Sequence, residues 1–162
     1  MSYNLVETSL VMIRDEIMSS ISTHLAAVRA LRTGDEVATP PLTKVYLFEK
    51  PVGPLAPFGV LICPRAEWPP ENFVKGKLEV YASVVVEETD KERLVFKAWR
   101  YQAAMYALLH RLRLTSVDGS ATMTALVTEA AFSPEYQNSE KENVFRREVM
   151  LKLEVNHWEK NA

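Results

Sequence analysis

The residues equipped for chemistry are few. They are one thiol, Cys63, three imidazoles, His24, His110 and His157, and an acidic run of Glu87, Glu88, Asp90 and Glu92. A thiol nucleophile needs a base beside it and an environment that favours the thiolate. Cys63 instead sits in "GVLICP", where burial disfavours the thiolate and an inert core thiol is the favoured reading. The histidines are scattered and lack metal-ligand spacing with Cys63 or with one another. His24 lies near the apolar stripe of a helix, which favours a packed or interface histidine over a catalytic one. The acidic run could bind a metal, but its place at a helix start already accounts for it through capping and the helix dipole.

Other catalytic signatures are missing as well. The five glycines, Gly34, Gly53, Gly59, Gly76 and Gly119, are too far apart for a dinucleotide fingerprint or a phosphate loop. There is no G-x-S-x-G elbow. The expectation is a protein that is not an enzyme, with no catalytic residue, no cofactor and no metal.

The chain that carries these residues has 162 of them, 48% hydrophobic and 25% charged, which suits one globular domain spanning 1–162. The net charge of -2 makes no case for nucleic-acid binding. A lone cysteine permits no internal disulfide and fits a reducing compartment. The opening "MSYNLVETSLVMIRDE" lacks the basic region of a signal peptide. No apolar stretch approaches the ~20 residues that span a membrane. A soluble, cytoplasmically made protein is expected.

Periodicity supplies the elements. Leu10, Ile13, Ile17, Ile21, Leu25, Val28 and Leu31 form one helical stripe, predicting a first helix near residues 8–32, capped by Thr8 or Ser9 and stopped by Gly34. "TGDEVATPPL" is a connector. "KVYLFE" at 44–49 and the continuous apolar run from Phe58, "FGVLICPR", read as strands. "RAEWPPENFVKG" is a loop, and "KLEVYASVVVEE" alternates as a half-buried strand. A second helix follows within Glu87–Leu112, with Thr89 and Glu92 as a capping box. Leu94, Ala98, Tyr101, Met105, Leu108 and Leu112 form its core stripe, and Arg111 and Arg113 suit its negative end. "TSVDGSAT" is a turn, "MTALVTEAAF" from Met123 a strand, "SPEYQNSEKEN" a polar excursion and "VFRREVMLKLEVNHW" a long last strand. The order α-β-β-β-α-β-β predicts an α+β fold, a mostly antiparallel sheet with two helices packed on one face.

The second helix carries more apolar surface than one core needs. Val95, Trp99 and Tyr106 form a second stripe, with Phe96 and Ala103 further round. They either pack against the first helix or meet another subunit. Trp68 and Phe73, in the proline-rich loop, either serve an intersubunit contact or fold back on their own domain. The subunit-interface candidates are therefore Trp68, Phe73, Phe96, Trp99 and Tyr106. The mixed charges of the last strand read as a solvated face.

The succession of parts resembles the tail terminator proteins of long-tailed bacteriophages, also called tail completion or tail-to-head joining proteins. The resemblance rests on a helix containing "MIRDEI", the connector "TPPLTKVYLF", the strand "PFGVLICPR", the passage "VVVEETDKERL" into "WRYQAAMYALL", then "AAFSPEY" and "REVMLKLEV". It implies a structural virion protein of the phage tail or neck, assembled in the host cytoplasm. That protein would be a homo-oligomeric, usually hexameric, ring that caps the tail tube, stops its polymerisation and joins the head-tail connector. Its partners would be the tail tube protein and the connector, with DNA passing through the lumen without specific binding and no membrane involved. The alternatives are a different neck or head-completion protein, a small α+β enzyme or ligand-binding domain, and a monomeric adaptor.

Overall fold

The structure, a computed structural model, describes residues 5–31, 35, 37–48, 55–67, 75–138 and 141–159. The elements are α1 (Leu5–Ala30), β1 (Val45–Tyr46), β2 (Phe58–Glu67), β3 (Lys75–Glu88), α2 (Lys91–Leu109), β4 (Leu112–Thr115), β5 (Ala121–Phe132), β6 (Tyr136–Gln137) and β7 (Phe145–Glu159). The α+β class stands. Two short strands add to the predicted order: β4, whose Leu112 and Arg113 read as the end of the second helix, and β6, inside the polar excursion.

The sheet runs β1-β2-β3-β7-β5-β4, with β6 also on β7. Among the described residues, β1 and β2 pair parallel and the other ladders are antiparallel. The last strand therefore lies in the middle of the sheet, bonded to β3 on one side and to β5 and β6 on the other. Alternation puts Leu78, Val80, Ala82, Val84 and Val86 of β3 on one face with Val149, Leu151, Leu153 and Val155 of β7, all buried. Both helices pack on that face. Ile13, Ile17, Ile21 and Leu25 of α1 join Leu94, Ala98, Tyr101, Met105 and Leu108 of α2 in a single core.

Helix boundaries correct three details. Helix α1 already starts at Leu5, so neither Thr8 nor Ser9 caps it, and it ends at Ala30, leaving Leu31 exposed. Asp90 caps α2 in place of Thr89: its backbone is extended, and its carboxylate accepts the Arg93 N–H at 2.9 Å. At the other end His110 is the C-cap, and Arg111 turns left-handed at φ 63°. Leu112 and Arg113 thus belong to β4, where Leu112 still packs on the core. Gly34 lies outside the described residues.

The connector after α1 is fastened to α2. Arg100, buried on the helix, donates to the Asp35 carboxylate and, at 3.4 Å, to the Val37 carbonyl. From the next residue, the Tyr101 hydroxyl donates to the Pro40 carbonyl. These contacts satisfy backbone that the prolines keep out of regular structure. The Arg100 guanidinium holds the Asp35 carboxyl down at about 2. Gly59 lets β1 come close, since a Cβ there would stand 3.0 Å from Val45 and 3.3 Å from Leu42.

Candidate interface surfaces

The chemical candidates of the sequence are dispersed. Cys63 is half-buried against the core, its thiol donates to the Arg65 carbonyl at 3.3 Å, and burial pushes its pKa up. His24 is half-buried on α1. His110 stacks on Tyr106 with ring centres 4.8 Å apart, and its Nδ1 accepts the Val127 N–H at 3.2 Å. That bond leaves Nε2 as the protonated nitrogen of the neutral ring. In the acidic run, Glu88 pairs with Lys97 at 3.8 Å, and Asp90 is the cap. Glu87 accepts from Asn138 at 2.9 Å and from Arg146 at 2.8 Å. Burial pushes the Glu87 carboxyl up, but these bonds outweigh it and hold it below the usual range. Among the described residues, no group of three His, Cys, Asp or Glu side chains is placed to hold a metal.

One constellation escaped sequence reasoning. Ser9 Oγ lies 2.6 Å from His157 Nδ1, and His157 Nε2 lies 4.0 Å from a Glu159 carboxylate oxygen. Serine, histidine and acid are the residue types of a catalytic triad, but 4.0 Å is beyond hydrogen-bond reach, so the acid does not orient the imidazole as nucleophilic catalysis requires. In addition, Ser9 is 0% and His157 1% exposed, so no substrate carbonyl reaches the hydroxyl. Here the contact bonds α1 to the central strand beneath it. Burial depresses the His157 pKa, and Glu159 opposes the shift. The alternation of β7, continued past Val155, is the signal that puts His157 on the core face; the partner Ser9 is 148 residues away and had none.

The exposed surface of α2 is different in kind. Phe96 is 36%, Trp99 51% and Tyr106 42% exposed. With Ala103 and Ala107, also exposed, they lie within about 60° of one line on the helix at ~100° per residue. This crest is opposite the side carrying Leu94, Tyr101, Met105 and Leu108. The two sets of apolar residues distinguished by periodicity are thus one band, and neither Trp99 nor Tyr106 is buried against α1. Phe96 and Trp99 meet edge to face at 5.7 Å, forming one wall of a hollow of about 310 Å³ that also borders Val28 and Asp35. Trp68 and Phe73 lie outside the described residues.

Ion pairs run across the outer face of the sheet over β2, β3, β7 and β5. Lys77 pairs with Glu154 at 3.2 Å, Lys152 with Glu79 at 3.6 Å and Glu129 at 4.0 Å, and Arg65 with Glu67 at 2.6 Å. The Tyr81 hydroxyl donates to Glu79 at 2.8 Å and, with Lys152, holds that carboxyl below its usual range. Register shifts in β2, between Ile62 and Arg65, and in β5, between Val127 and Glu129, flank the Val80–Leu153 pair. Two bulges on one transverse row bend the sheet there. Over the row lies a shallow hollow of about 300 Å³ lined by these same ion pairs.

With the fold and both surfaces described, comparison with known proteins adds no relative: no protein-family model matches the chain, and no curated protein matches it.

Proposed function

We propose that this α+β domain is a structural subunit of a phage particle, a tail terminator that forms a ring on the end of the tail tube. The observation that carries the reading is the crest of α2. A helix whose core side is fully packed nonetheless presents Phe96, Trp99 and Tyr106 to solvent. Aromatic residues are the usual anchors of protein interfaces, and a band of them costs solubility unless another chain covers it. The resemblance of the chain's succession of parts to tail terminators supplies the kind of assembly. A ring subunit contacts two neighbours through two different patches, and the crest is one candidate patch. The proposal includes a hexameric ring, contact with tube and connector proteins, and no catalytic step.

Deleting the protein in a tail-assembly system tests it: tails that grow beyond their normal length, or that fail to join heads, are expected. Tails of normal length that still join heads overturn the reading. Within the protein, Trp99→Ala combined with Tyr106→Ala is expected to reproduce the deletion while leaving the subunit folded.

A further inference from the structure

The ion-pair ladder on the outer face stops before the sheet does. Toward the β4–β5 hairpin and the last residues of β7, two rows of side chains run across four strands. One row is Lys75 of β3, Trp158 of β7, Thr122 of β5 and Thr115 of β4. The next is Lys77, Asn156, Thr124 and Arg113 on the same strands. Alternation turns both rows outward, because Ala121, Met123, Val155 and His157 between them are buried. Lys77 still belongs to the ladder through Glu154. Among the described residues, however, Lys75 and Arg113 have no carboxylate partner, and the Asn156 amide makes no hydrogen bond. Trp158 is 37% exposed among them. It borders a hollow of about 420 Å³ shared with Lys75, Lys77 and Asn156.

We infer that this patch binds single-stranded nucleic acid, with one base stacked on Trp158 and phosphates on Lys75 and Arg113. An exposed indole on a sheet surface is a stacking platform for any base, and a base offers its flat face only outside a duplex. Asn156 lies two residues from Trp158 on the same strand face. Its amide both donates and accepts, as the edge of a base requires. Thr122 and Thr124 add hydroxyl groups beside it. Lys75 and Arg113 stand three strands apart, roughly 14 Å across the sheet at about 4.8 Å per strand, with Trp158 between them. A strand laid across β3, β7, β5 and β4 therefore meets a cation on each side of its stacked base.

Charge complementarity singles out this occupant. Along the ladder, Lys152 and Arg65 already hold carboxylates and offer nothing to a phosphate. Here the cations are free and the surface between them is polar, which suits a phosphate backbone better than an apolar protein face. With two phosphate contacts on a chain of net charge -2, the binding is weak, with Kd on the order of 100 µM at low salt. It goes beyond the terminator reading, since it concerns the side of the domain away from the α2 crest and is read on free subunits.

The test is fluorescence anisotropy of an end-labelled oligothymidylate of about ten nucleotides, titrated with the intact chain. Saturable binding is expected, with log K falling against log salt at a slope near -1.4, from two phosphates at about 0.7 each. Trp158→Ala should weaken it about tenfold or more, whereas Trp158→Phe, which keeps a ring, should retain most of it. Lys75→Gln and Arg113→Gln should each reduce the slope by about 0.7. Lys152→Met, on the paired ladder, should leave binding unchanged. The glutamine variants keep Trp158 in place, so they decide the matter even where Trp158→Ala fails to fold. No binding at roughly ten times that Kd overturns the inference. So does wild-type affinity in Trp158→Ala, an unchanged slope in both glutamine variants, or equally tight binding of a duplex or of base-free heparin. Failure of the ring reading appears instead in tail assembly, so the two failures are separable.

Discussion

The crest of α2 and the outer face of the sheet are both turned to solvent, on opposite sides of one core, and they meet water on opposite terms. On the sheet, Lys77, Lys152 and Arg65 each have a carboxylate within 4.0 Å, and Tyr81 is bonded to Glu79. That surface answers its own charges and is already well hydrated. On the crest, Phe96 meets Trp99 edge to face and Tyr106 stacks on His110, and all three aromatic side chains stay exposed. Exposed ion pairs are worth little to folding, typically under 1 kcal/mol, and exposed aromatics contribute little to it either. The difference lies in what a partner gains. Covering the ladder would desolvate charges that already have partners, whereas covering the crest releases water from apolar surface. Burial therefore separates a surface whose charges are already paired from one whose aromatic rings would gain from being covered.

The largest expected effect lies beneath both surfaces. Leu108→Ala, on the core side of α2, and Leu151→Ala, on the core side of β7, should each cost about 2–5 kcal/mol in denaturant unfolding. If either is neutral, the two surfaces do not share one rigid core. Next comes the Glu87 hub at the junction of β3, α2 and β7. Glu87→Gln should cost about 1–2 kcal/mol at neutral pH, because Arg146 and Asn138 lose a charged acceptor. The folded carboxyl titrates below its unfolded value of 4.5, so the wild-type advantage is present above that pH and fades as pH falls through the folded value. The variant should lack that fading.

The crest itself sharpens the comparison by contrast. Trp99→Ala should change unfolding free energy by less than about 1 kcal/mol while abolishing assembly. Lys152→Met, at the centre of the ladder, should also change stability by less than about 1 kcal/mol, yet leave assembly intact. A reversal of those two assembly results would exchange the roles of the surfaces.

A smaller effect is expected from acid. His157 is buried with its pKa below the ordinary 6.5, so the unfolded chain takes up the proton first. Its contribution is full above pH 6.5 and declines as pH falls through that value toward the folded pKa. Stability curves of wild type and His157→Gln should converge on acidification below that point. The smallest effect is a gain: Arg111→Gly removes a side chain from the left-handed backbone at φ 63° and should stabilise by up to about 1 kcal/mol.

Local order determined most of what the sequence made legible. The three-and-four spacing of Leu10 to Leu25 and of Leu94 to Leu108, and the alternation of Leu78 to Val86 and Val149 to Val155, identified the helices, the long strands and their buried faces, because backbone geometry alone decides which neighbours share a side. Excess aromatic surface on α2 was visible for the same reason. The helical spacing that ran on through Leu112 concealed β4, the polar excursion concealed β6, and Asp90 displaced Thr89 because either side chain can satisfy the same backbone N–H groups. Only the tertiary structure decided that Phe96, Trp99 and Tyr106 stay in solvent: α1 and the sheet fill the opposite side of α2, and a helical period cannot say how much of a wide apolar arc its neighbours will cover. The contact of Ser9 with His157, the fastening of the connector by Arg100 and Tyr101, and the insertion of β7 between β3 and β5 likewise join residues far apart in the chain. Such pairings depend on chain topology and on the competition to satisfy buried polar groups, and neither is written in the spacing of nearby residues.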